Sequence, residues 1–179
     1  MAEPSDAELV VRVGAVRDAA AFGALVTRHQ SRVRNWLRQL TRDATRADDL
    51  AQDTFVRAWE RIGSLRDPAK FSSWLMSIAY TGFLQEHRKR AGEGRLRATF
   101  ALEPGATEQP EPSGAEVDVA KLLTVLSDEE RVAMTLCYAH GMSHNEVAEI
   151  TGWPLGTVKS HVARGKAKVR ERFGIGDES

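Results

Sequence analysis

The chain has 179 residues, 42% of them apolar and 28% charged, with a formal net charge of zero. That is the make-up of a globular protein of one large or two small domains, and it holds no global basic signal for a polyanionic partner. The single Cys137 cannot form an internal disulfide, and there is no signal pattern or membrane-length apolar run, so a cytoplasmic protein with no membrane insertion is expected.

Ser5 and Glu8 stand at capping-box spacing, in which a serine hydroxyl and a glutamate three residues on satisfy each other's backbone N–H groups. They open a short helix with Leu9, Val10 and Val13 as its apolar residues, and Gly14 loosens its end. Asp18 caps a second helix, where Phe22, Leu25, Val26, His29, Val33, Trp36, Leu37 and Leu40 recur at intervals of three and four. A third helix starts at Asp43 and runs through Ile62 to a stop at Gly63. Leu50, Ala51, Phe55, Trp59 and Ile62 can be buried there, which leaves Asp49, Gln52, Asp53, Val56 and Glu60 outside. A turn over residues 64–70 holds Leu65, Arg66, Asp67, Pro68 and Lys70. The fourth helix then carries Phe71, Trp74, Leu75, Ile78 and Ala79 inward and ends in the basic cluster Arg88, Lys89 and Arg90. No strand-like alternation interrupts this half, so it reads as an all-α bundle.

Composition changes over residues 98–120, which hold three prolines, two glycines, five carboxylates and no Lys or Arg. This is an acidic linker, flexible until something holds it. A helix is expected over 117–126. Ser127 and Glu130 repeat the capping box, and the helix after them carries Val132, Ala133, Leu136 and Cys137 to an end near Gly141. Ser143 and Glu146 form a third box, opening a short helix with Val147, Ala148 and Ile150 on its apolar side, and Gly152 and Pro154 break it. The last helix begins near Leu155, with Val158, Val162, Gly165 and Val169 facing inward.

Two short helices joined by a tight glycine-containing turn are a helix-turn-helix. The outer face of its second helix carries Thr157, Ser160, His161, Arg164 and Lys168, flanked by Lys159, Lys166 and Arg170. Residues 155–173 hold six Lys or Arg against the single Glu171. A polar, basic outer face is what a major-groove reader needs, while a solvated charged face is the bland alternative. The fold class is therefore all-α, two small helical domains joined by a flexible acidic linker, divided as 1–97, 98–115 and 116–179.

No constellation for chemistry is found. His140 and His144 are four apart, but Gly141 and Ser143 break the helix between them. There is no phosphate-binding glycine loop and no nucleophile elbow. No catalytic residue, metal or cofactor is expected, and the chain is not read as an enzyme.

The segment Ala47-Asp48-Asp49-Leu50-Ala51-Gln52-Asp53-Thr54-Phe55-Val56-Arg57-Ala58-Trp59 resembles the clamp-binding helix of bacterial sigma factors. Phe71-Ser72-Ser73-Trp74-Leu75-Met76-Ser77-Ile78-Ala79 resembles their promoter-melting helix, and Pro154-Leu155-Gly156-Thr157-Val158-Lys159-Ser160 the start of their second DNA-reading helix. Two domains and a short linker are similar to the extracytoplasmic-function (ECF) group. The resemblance implies an initiation factor that binds core RNA polymerase through its β′ clamp and β flap, and brings it to promoter DNA. It also implies an anti-sigma factor as a further partner. It assigns Asp49, Gln52, Asp53 and Val56 to polymerase. Leu65, Arg66, Asp67, Lys70, Thr81, Arg88, Lys89 and Arg90 go to the −10 element as a single strand. Thr157, Lys159, Ser160, His161, Arg164, Lys166 and Lys168 go to the −35 duplex. Tyr80-Thr81 stands where the family often has Arg-Asn, Gln85 where Asp is common, and His161 where Arg is frequent. A helix-turn-helix regulator acting without polymerase and a helical protein-interaction adaptor are the rivals. Polymerase association separates the first, and DNA binding the second.

Overall fold

The structure, a computed structural model, describes residues 3–100 and 124–173, with side chains up to residue 92 in the first of these segments. Helix α1 (Asp6–Val16) starts at Ser5, whose N–H donates to Glu8 Oε2 at 2.7 Å while its hydroxyl accepts from the Glu8 N–H at 3.3 Å. It runs through Gly14 and stops at Arg17, which takes the left-handed conformation at φ 54°. A left-handed non-glycine residue costs about 1 kcal/mol. Arg17 offsets that by donating to the Trp59 carbonyl at 2.8 Å and lying 4.4 Å over the Trp59 ring. Helix α2 (Ala19–Thr41) is capped by Asp18 and ends the same way, at Arg42 with φ 54°.

Helix α3 (Ala44–Arg61) begins at the Asp43 cap as expected, but it does not end on a left-handed glycine. It tightens into a 3₁₀ turn, Ile62–Ser64, that keeps Ile62 buried. A second 3₁₀ turn, Pro68–Lys70, is capped by Asp67, whose Oδ1 accepts the Ala69 N–H at 3.0 Å. Helix α4 (Phe71–Phe100) does not end at Arg90, as its basic cluster suggested, but continues into the first residues of the expected linker. The rest of that linker, and most of the helix expected over 117–126, lie outside the described residues. Helix α5 (Asp128–Met134) opens on the Ser127–Glu130 box and widens into a π turn, Thr135–Ala139. Helix α6 (His144–Thr151) is closed by Gly152 at φ 73°, and α7 (Leu155–Phe173) follows. Among the described residues there is no strand, and no helix is long and apolar enough to cross a membrane.

The two halves share one apolar core. Leu25, Trp36, Leu37, Phe71 and Leu75 of the first half continue into Val132, Leu136, Val147 and Val158 of the second. Helix α6 packs on α4, and α5 with its π turn packs on α2. Trp36 is fully buried and donates from Nε1 to the Thr135 hydroxyl at 3.0 Å. Thr135, the first residue of the π turn, in turn donates to the Arg131 carbonyl at 2.7 Å. Arg32 donates to the His140 carbonyl at 2.6 Å, and Tyr80 meets Trp153 edge-on at 6.0 Å.

His140 sits in this seam, edge-on to Trp36, with its Nε2 buried and unpartnered among the described residues. Burial first, and the Arg32 charge second, push its pKa from 6.5 down to about 4. The unfolded or opened chain therefore binds a proton that the closed chain refuses. Stability is full above about pH 6.5 and falls as pH drops toward 4. Carboxylates such as Glu146, held low by the Ser143 N–H, lose their contribution only below 4.5. The melting temperature should consequently fall between pH 6.5 and 4.5, and His140→Gln should flatten that stretch of the profile. An unchanged slope in the variant would assign the effect elsewhere.

Candidate polymerase and nucleic-acid interfaces

On α3, Asp49, Gln52, Asp53 and Val56 are all exposed, Val56 by 51%. The heptad-like pattern buries Ala47, Leu50, Ala51, Thr54, Phe55 and Ala58, so one face is committed to the core and the other is left over. Beside that face runs a groove of about 530 Å³ between α2 and α3, with Phe22, Val26, Phe55 and Trp59 as its apolar wall. Phe22 and Trp59 meet edge-to-face at 5.1 Å, which fixes the wall. Arg34 and Arg38 hold Asp48 at 3.1 and 3.2 Å on its rim. An apolar slot edged by carboxylates and an amide suits a protein partner.

The turn between α3 and α4 forms a second site. Leu65 is half-buried, and Arg66, Asp67 and Lys70 are exposed. A cleft of about 460 Å³ lies between this turn and the first turns of α4, reaching Trp74 and Ser77. Trp74 was expected in the core, but it is only half-buried and gives this cleft an aromatic wall. A cleft with an aromatic wall, hydroxyls and two cations can stack and hydrogen-bond an unstacked base. Glu149 of α6 also lines it, with Lys70 Nζ at 3.0 and 3.1 Å from its carboxylate oxygens. Further along α4, Thr81 is exposed but its hydroxyl donates to the Ser77 carbonyl at 2.8 Å. Tyr80 faces the seam, and burial, helped by the Glu129 charge, raises its pKa to about 12. Arg88, Lys89 and Arg90 are exposed on α4, with Arg90 3.7 Å from Glu86.

On α7, Val158, Val162 and Gly165 are buried. A side chain at Gly165 would stand 2.7 Å from Met134 Cγ, so glycine sets how closely α7 approaches α5. The outer face carries Ser160, Arg164 and Lys168, flanked by Lys159 and Lys166, all exposed, with Thr157 and His161 half-buried. His161 lies against Trp153 with ring centroids 4.9 Å apart and tilted by 46°, and meets Arg164 Nη2 at 3.0 Å. Lys166 lies 5.1 Å over the Tyr138 ring, to the side of that face. Arg164 and Lys168 both turn toward Glu130 of α5.

Residues 25–93 match the family model for sigma-70 region 2, and residues 116–169 match that for sigma-70, region 4. The chain is also 32% identical over 182 residues to the ECF RNA polymerase sigma factor SigE of Mycolicibacterium smegmatis, covering 94% of this chain and 69% of that protein. The chain belongs to the ECF sigma factors. It is also 30% identical over 162 residues to the probable RNA polymerase sigma factor RfaY of Xanthomonas campestris, covering 86% of this chain but 40% of that longer protein. The sigma factor RpoE of Bartonella quintana, solved in complex with the anti-sigma factor NepR, superposes with a TM-score of 0.73 at 28% identity, covering 86% of this chain and 97% of that one.

As a member of that group, this sigma factor directs promoter-dependent transcription initiation with RNA polymerase, and its two helical domains are regions 2 and 4. The geometry brings the four α3 residues together on one exposed face, and the turn residues together around one cleft. It separates Arg88, Lys89 and Arg90 from that cleft along α4. The placement of three residues escaped the sequence reading. Trp74 was counted as core because its spacing matches Phe71 and Ile78. Glu149 carries no sequence signal and Glu130 is legible only as the capping-box partner of Ser127, because nothing in a linear pattern tells which helix a carboxylate meets.

Proposed function

We propose that region 2, residues 1–97, grips the polymerase clamp and captures the −10 element as a single strand. Region 4, residues 116–179, reads the −35 duplex and meets the polymerase flap, and residues 98–115 join the two. The observation that carries this reading is the segregation of exposed groups on a chain of zero net charge. Asp49 and Gln52 border an apolar groove on α3 with Asp53 exposed on the same helix, while the cations gather on the turn, α4 and α7. Cations at the second and third sites supply phosphate attraction, and the aromatic-walled cleft and the outer face of α7 supply selectivity. The chain contributes contacts, not bond chemistry, and works where polymerase and chromosome are, in the cytoplasm. An anti-sigma factor is a further partner by analogy with the RpoE relative solved with one.

The α3 face is tested by Gln52→Ala with Asp53→Ala. Both side chains are exposed, so the melting temperature should stay within about a degree, consistent with the small effect of surface substitutions. Co-elution with core polymerase should fall at least several-fold. Undiminished co-elution would remove α3 from the polymerase interface.

A further inference from the structure

Glu130 stands at the third position of α5, where it completes the capping box by accepting the Ser127 N–H on Oε2 at 2.9 Å. A capping glutamate ordinarily lies in water, and glutamine serves the box equally well. Here the residue is only 3% exposed. A carboxylate taken out of water is costly unless it is paired. Its pairs come from α7: Lys168 Nζ donates to Oε2 at 2.7 Å, and Arg164 Nε lies 3.6 Å from Oε1. Burial by itself raises the Glu130 pKa, but the Lys168 contact and its other partners bring it below the ordinary value, so the group is charged at neutral pH.

The consequence lies on the outer face of α7. Arg164 points its Nε edge at Glu130 and donates from Nη2 to His161 Nδ1 at 3.0 Å. Arginine can only donate, so Nδ1 accepts and neutral His161 carries its proton on Nε2. Trp153 backs the imidazole. The guanidinium is thus laid between a buried carboxylate and the His161 ring, while the Arg164 side chain remains 58% exposed. Lys168, although 44% exposed, is drawn to the same carboxylate.

We propose that Glu130 is a positioning residue that sets −35 specificity: it orients Arg164 for base contact and holds Lys168 away from the DNA phosphates. This rests on α7 being the −35 reader. Without the carboxylate, Arg164 samples many rotamers, and Lys168 becomes one more sequence-blind phosphate contact. The gain in non-specific attraction then comes with a loss of base selectivity.

Glu130→Gln tests this, because the amide keeps the cap and removes the charge. Holoenzyme binding would be measured on promoters varied singly through the −35 element, at two or more salt concentrations. The expected result is a roughly tenfold loss of discrimination at one base pair. Mismatched promoters should bind more tightly, and the salt dependence should steepen by about one counterion unit. Unchanged discrimination and salt slope would overturn the proposal. So would an equal weakening on every promoter with a matching drop in melting temperature, since that is what a purely structural residue produces. Arg164→Ala is the second arm. If it relaxes preference at one base pair while Glu130→Gln does not, Glu130 is not the positioning residue and α7 remains the reader. If neither variant changes any −35 preference, both the proposal and the −35 assignment of α7 fail.

Discussion

Trp36→Ala should lower stability by about 3–5 kcal/mol, the usual range for deleting a buried aromatic. For a chain of this size that corresponds to a melting temperature about ten degrees lower. Trp36 has no exposed surface and touches both halves: it packs against Tyr80 of α4 and His140 beyond the π turn, and its indole N–H bonds Thr135. Its removal therefore opens a cavity in the region 2 core and cuts a tie to region 4 together. Trp36→Phe separates the two effects in part, since it keeps most of the volume while losing the N–H bond and part of the indole ring system. It should cost about 1–3 kcal/mol. A Trp36→Ala protein as stable as the parent would mean that α2 does not carry the shared core.

The second large effect concerns the cleft beside the turn. Glu149 places a carboxylate in this cleft and engages Lys70, which on the proposed reading is a cation for the −10 strand. The pair is half exposed on both sides and adds little stability by itself. Its importance is the sign of the charge. Glu149→Lys turns attraction for Lys70 into repulsion and removes the competing anion. The free chain should then bind a −10 single-strand oligonucleotide at least tenfold more tightly at low salt, with the gain shrinking as salt rises. Glu149→Ala should give a smaller gain of the same kind. On the proposed reading that clamp and flap take the two regions separately, both variants should bind promoter like the parent in the holoenzyme. Equal oligonucleotide affinity in all three free chains would show that α6 does not obstruct the cleft. An equal gain in free chain and holoenzyme would mean that the new lysine merely contacts DNA.

What the sequence made legible was local. Three Ser-x-x-Glu boxes, at Ser5, Ser127 and Ser143, open the helices they were expected to open, because the reciprocal bonds of a cap need only residues three apart. The inner faces of α2 and α3 follow from periodicity, and so does the exposure of Asp49, Gln52, Asp53 and Val56. The helix ends at Arg17 and Arg42 were invisible, since arginine is not a residue chosen for left-handed backbone and the compensation at Arg17 comes from Trp59, distant in sequence. The π turn over Thr135–Ala139 leaves no pattern either. The seam between the regions was the larger omission. It could have been suspected from α4, where Phe71, Leu75, Met76, Ile78, Tyr80 and Phe83 are buried around more than one face, a sign of a helix covered on several sides. Which element does the covering is a matter of tertiary packing, and so are the meetings of Glu149 with Lys70 and of Glu130 with Arg164 and Lys168.

The most direct measurement is run-off transcription by core RNA polymerase on a library of templates randomised across the −35 and −10 regions, with and without this chain. Transcripts should appear only when the chain is present, their templates should share two sequence blocks at fixed separation, and the Gln52→Ala, Asp53→Ala double variant should lose most of the signal. Transcription that is the same with and without the chain, from a chain that does not co-elute with polymerase, would contradict its role as the promoter-reading subunit.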